Sequence, residues 1–145
     1  MIESLELRTN KERIIPFIAI ATFYLWAYRM FKPSAGNAFF ANEIVSNMLL
    51  GATISIFIGF VINIFSKVSL HAMGAGCFFA LCLTLVRYSD FNLTLLIIAA
   101  IVVAGAIGSA RLILGAHSPA EVFSGYLIGF AGLFTAFNIL PKLFN

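Results

Sequence analysis

Long apolar runs joined by short polar links dominate the chain, and five stand out, at about 14–31, 41–65, 70–87, 92–111 and 119–140. A bilayer core of about 30 Å needs roughly 20 helical residues, and the last four runs reach or approach that length. Backbone without partners cannot face lipid, and the runs are too long and too uniformly apolar for the alternating strands of a barrel. Each is therefore predicted to be a helix. The first run is closed by Arg29, Lys32 and the turn-forming stretch Pro33-Ser34-Ala35-Gly36-Asn37, with Tyr24, Trp26 and Tyr28 set as interfacial aromatics. It either spans with its charges snorkelling or lies along the surface. Glu43, near the start of the second run, falls at headgroup level.

The predicted architecture is an all-α integral membrane bundle of about five transmembrane helices. It forms one domain over residues 1–145, with a polar N-terminal segment at 1–13. The link Tyr88-Ser89-Asp90 makes the third and fourth helices antiparallel neighbours, and Ala104 with Gly108 and Gly125 with Gly129 offer small pairs four apart for close packing. Composition agrees: 61% of the residues are hydrophobic and 10% charged, and the mean hydropathy of +1.02 lies outside the range of a soluble globule. The bilayer is thus the expected surrounding partner. The net charge of +3 is spread out, with no basic run interleaved with aromatics, which excludes nucleic acid as a partner. Cys77 and Cys82, five apart, lack same-face spacing and further ligands, and read as inert thiols. The polar N-terminus lacks the pattern of a cleaved signal peptide.

Polar groups that interrupt apolar runs are costly, and here they gather in two stretches, Lys67 to Gly74 and Arg111 to Glu121. These contain both histidines, His71 and His117. The chain crosses the membrane after the first stretch, turns near Asp90 and returns to deliver the second, so both emerge on one face. In the second, Pro119 suits a first helical turn, and His117 and Glu121 share a face if the helix begins near Ser118. The carboxylate then accepts Nδ1–H, fixing the tautomer whose Nε2 is a nucleophile. Arg111 offers a planar fork of donors to phosphate oxygens. In the first stretch Ser69 is a natural N-cap at an anion-attracting helix end, His71 can protonate a leaving alkoxide, and Lys67 adds positive charge. Taken together, these groups point to a site that binds and attacks a phosphate.

The second stretch resembles the third signature of the type-2 phosphatidic acid phosphatase superfamily: Ser-Arg, five residues, His, three residues, Asp. The run Ser69-Leu70-His71-Ala72-Met73-Gly74 resembles the second signature, Pro-Ser-Gly-His, and the likeness covers about residues 65–132. The resemblance implies a metal-independent phosphatase with no cofactor, acting on a phosphorylated lipid. His117 would form a phosphohistidine and Glu121 orient it; His71 would protonate the leaving group; Ser69 and Arg111 would bind phosphate, with Lys67 adding charge. It also implies a bacterial inner membrane, with the site on the extracytoplasmic face.

The sequence departs from the pattern at several points. Ala110 precedes the arginine, Glu121 stands for Asp, and Val68 and Leu70 flank Ser69. The first signature, Lys, six residues, Arg-Pro, is not found, and five helices are fewer than the usual six. The alternative expectation is therefore a non-catalytic membrane protein of this fold that binds a phosphorylated headgroup or supports a complex. A homo-oligomer is a partner that five short helices would suit. A transporter or channel subunit finds no support, because no charge interrupts a run mid-segment.

Overall fold

The computed structural model describes residues 14–32 and 42–140. Five helices follow in order: α1 (Ile14–Phe31), α2 (Glu43–Phe65), α3 (Leu70–Leu85), α4 (Thr94–Ile113) and α5 (Pro119–Asn138). The N-terminal segment 1–13 and the turn at 33–37 lie outside the described residues. No strand occurs among those that are described.

Local chemistry sets the helix ends. Asn42 accepts from Val45 N at 2.9 Å to start α2. Ser69 accepts from Ala72 N at 3.4 Å to start α3. Asn92 accepts from Thr94 N at 3.0 Å, so α4 begins two residues later than the apolar run suggests. At its other end α4 runs past Arg111 to Ile113, then stops in a Schellman turn. Ala116 N donates to Arg111 O at 3.2 Å and Gly115 N to Leu112 O at 3.0 Å, while Gly115 takes φ of +61°. A residue with a Cβ is strained there, so the glycine fixes where α4 ends.

In the centre of the bundle α5 packs on α3 along one side and on α2 along another. Small residues permit the first contact. A Cβ on Gly125 would sit 2.7 Å from Ser69 O, and one on Gly129 would overlap the Met73 carbonyl and come 2.9 Å from Cys77 N. The two backbones therefore touch, which suits lipid, where van der Waals contact rather than water exclusion drives association. Phe17, Ile56, Val68, Met73 and Ile128 form one apolar cluster, and Ala80, Leu133 and Phe137 a second.

α1 does not lie across the bundle. Asn42 N donates to Phe31 O at 3.1 Å, tying the end of α1 to the start of α2. At the other end the fully buried Phe17 meets Phe60, their ring centroids 6.2 Å apart. The helix thus runs beside α2 through its depth. Among the described residues α2, α4 and α5 are long and apolar enough to cross a membrane. α3, with 16 residues, rises about 24 Å and runs back beside α5 from the end of α2 toward the start of α4. α4 is peripheral, with only Ala100 and Gly108 buried. Large side chains such as Phe57, Leu95, Ile113 and Phe123 point outward, an arrangement suited to acyl chains rather than water.

Candidate active site

The starts of α3 and α5 and the end of α4 meet at one end of the bundle, and five of the six residues singled out above are joined there by hydrogen bonds. Pro119 occupies the first turn of α5, and Ser118 and Glu121 form a reciprocal capping box. Glu121 N donates to Ser118 Oγ at 3.4 Å, and Ser118 N to Glu121 Oε2 at 3.3 Å. The same Oε2 lies 2.8 Å from His117 Nδ1, with the two side chains 6% and 21% exposed. An ionised carboxylate only accepts, so Nδ1 carries the proton and the imidazole lone pair sits on Nε2.

Arg111 comes from the last turn of α4, and its Nη1 lies 3.4 Å from His71 Nδ1 in the first turn of α3. A guanidinium has no acceptor, so it donates, which leaves the His71 proton on Nε2. The N–H of Ser69, two residues before His71, donates to the backbone oxygen of Glu121, whose carboxylate meets His117. The two histidines, 46 positions apart, therefore share one cluster. Their proton positions are opposite: Nδ1–H on His117, Nε2–H on His71.

Ser69 is fully buried. Its hydroxyl caps α3, and its N–H donates to Glu121 O at 3.3 Å, joining the two polar stretches through backbone. The serine thus holds the start of α3 against the start of α5. Gly125, one turn below Glu121, leaves room for this approach. Lys67 stands two residues before Ser69, half-buried, and makes no hydrogen bond or ion pair among the described residues. Among those residues no three His, Cys, Asp or Glu side chains gather as metal ligands.

One further residue was not singled out by the sequence. The hydroxyl of Tyr126 on α5 donates to Ala104 O on α4, and it packs where a Cβ on Gly108 would otherwise stand. The available signal was a phenol in an apolar helix, which needs a polar partner when buried.

Among known proteins, the chain matches a family model described as the PAP2 superfamily, over residues 14–145. The chain belongs to the PAP2 superfamily. No curated protein and no solved structure matches it. The PAP2 superfamily is in general one of phosphatases, so the bundle is a phosphatase-type fold. The match takes in α1 and α2 as well as the region around the two polar stretches.

Proposed function

We propose that this PAP2 protein is a membrane-embedded phosphatase of lipid phosphates or diphosphates, working without a metal through a phosphohistidine on His117. The observation that carries the proposal is the 2.8 Å contact between His117 Nδ1 and a Glu121 carboxylate that is itself held by the α5 cap. A carboxylate whose Oε2 is also held by Ser118 N orients the ring, leaves its lone pair on Nε2 and stabilises the imidazolium-like charge that develops on attack.

In the first step Nε2 of His117 bonds to phosphorus as the bond to the leaving oxygen breaks. His71, which takes up a second proton on Nδ1 once Arg111 turns to the phosphate, gives that oxygen its Nε2 proton as an imidazolium and is left neutral. Phosphate oxygens are stronger acceptors than an imidazole nitrogen, so bound phosphate draws the Arg111 fork away from His71 Nδ1. Lys67 adds positive charge, and Ser69, whose hydroxyl caps Ala72 N, keeps the α3 N-terminus with the Leu70 and His71 N–H groups toward the phosphate. In the second step water attacks phosphorus and gives a proton to His71, the N–P bond breaks, and inorganic phosphate leaves. The same reading puts the protein in a bacterial inner membrane with the site facing outward.

The test is phosphate release from lipid phosphates and diphosphates in detergent with a chelator present. Wild-type protein is expected to turn over, His117→Ala to abolish release, and His71→Ala to lower it strongly. Tight lipid-phosphate binding that survives His117→Ala, with no release by the wild type, would mean a non-catalytic headgroup binder instead.

A further inference from the structure

Two apolar hollows flank α3. One, of about 380 Å³, lies among α1, α2, α3 and α5, and runs along α3 from Leu70, beside the candidate site, to Leu81. The other, of about 440 Å³, lies among α3, α4 and α5, the three helices that supply the site. From this second hollow we infer that the gap between α4 and α5 holds an acyl chain of the phosphorylated lipid whose headgroup the site processes. The inference rests on the proposed function for its headgroup and on the following geometry for its tail.

Two stripes lead from the site into this hollow. On α4, Ala104 stands seven residues before Arg111, two turns below it on nearly the same face, a drop of about 10 Å. On α3, Ala75 and Phe79 continue the His71 face at intervals of four. Both stripes end in lining residues, so a phosphate held between Arg111 and His71 has the hollow beneath it. α4 and α5 make few contacts beyond Tyr126, whose hydroxyl is taken up by Ala104 O, so the ring offers a chain an apolar surface. Phe79 and Phe130 continue the wall deeper, with centroids 6.2 Å apart. At the lips, Ile101 and Leu127 are each more than half exposed, so the hollow opens sideways to the bilayer. A laterally open slot lets a chain enter without leaving hydrocarbon.

Gly105 makes the slot testable, because it lines the hollow and a Cβ there would meet nothing within 4 Å. Gly105→Phe therefore fills the slot while sparing the fold, which size-exclusion and thermal melting in detergent would verify. Against a phosphatidate with two long chains it is expected to lower kcat/KM at least about tenfold, and to leave a short-chain, water-soluble phosphatidate within about twofold. A second arm needs no turnover. Phosphatidate carrying a mid-chain diazirine is photolysed with the His117→Ala variant, and the crosslinks are mapped. They are expected on residues 101–105 and 126–130, competed by unlabelled phosphatidate but not by phosphatidylcholine of the same chains. Equal competition by phosphatidylcholine would mean a bulk-lipid groove and overturn the inference. So would crosslinks on the first hollow, or equal loss on long and short substrates. If the wild type releases no phosphate yet the crosslinks follow the expected pattern, the phosphatase reading falls and the acyl slot stands.

Discussion

At the scale of single residues, Glu121 does two things with one oxygen: it accepts from Ser118 N to close the cap and from His117 Nδ1 to orient the ring. Glu121→Gln separates them. Glutamine serves a capping box as well as glutamate, so the melting temperature in detergent should barely move. The neutral amide no longer favours Nδ1–H over the other tautomer or balances charge on the ring, so kcat for phosphate release should fall on the order of 10²-fold or more at nearly constant KM. A loss in KM alone would show that the carboxylate serves binding and not the nucleophile. This pair was legible in the sequence because a separation of four residues is fixed by helix geometry once Ser118 and Pro119 mark the helix start. The Arg111–His71 contact was not legible. Topology put both on one face, but only packing of α4 against α3 decides which side chain the guanidinium meets. The burial of Ser69 has the same origin: cap chemistry identified its hydroxyl as an acceptor, while the pressure of α5 through Gly125, which covers it, is a long-range effect.

At the scale of helices, apolar run length located all five, because in lipid a helix must extend for as long as its neighbours are hydrocarbon. The ends shifted by a few residues where side chains compete for backbone groups, as Asn92 does before α4. The turn between α4 and α5 matters most, since it sets the spacing between Arg111 and His117. Gly115 holds that turn at φ of +61° with nothing near its missing Cβ. Alanine there meets no clash, so the cost is backbone strain alone, about 1 to 2 kcal/mol. Gly115→Ala should lower stability by that amount in a reversible denaturation series. It should also lower phosphate release more than stability, because relaxing the turn moves the guanidinium and the imidazole relative to each other. Full activity in a destabilised variant would show that the turn is structural only. The pairs Gly125 with Gly129 and Ala104 with Gly108 were both visible as small residues four apart. Their partners differ: the first meets α3 backbone, whereas the second receives the Tyr126 hydroxyl. Spacing alone does not distinguish a backbone contact from a seat for an aromatic ring.

Across the whole molecule, the number of membrane crossings between the two polar stretches decides which residues can meet. α3 leaves the site end and α4 returns to it, so residues on either side of this hairpin share a face however α1 sits. The far end is held separately, where Arg87 Nη1 donates to Asn138 Oδ1 at 2.8 Å and joins the exits of α3 and α5. Parity was readable from the sequence, but orientation was not. Lys and Arg fall five on the site end (Arg8, Lys11, Arg13, Lys67, Arg111) and four on the other (Arg29, Lys32, Arg87, Lys142) if all five helices span. So even a split gives the positive-inside rule nothing to act on. Labelling with a membrane-impermeant maleimide measures both properties at once. Ser66, Ala116 and Asn92 are exposed outside the helices, and each can be changed to cysteine singly, with Cys77 and Cys82 in the bundle setting the background. Ser66→Cys and Ala116→Cys should label from the same side of sealed vesicles, and Asn92→Cys only from the other. Labelling of the first two from opposite sides would separate His71 from His117 by a bilayer, and no single phosphate could then reach both. If they share a side, that side is the one from which headgroups must arrive. Right-side-out vesicles then show whether it faces outward, as the proposed function requires.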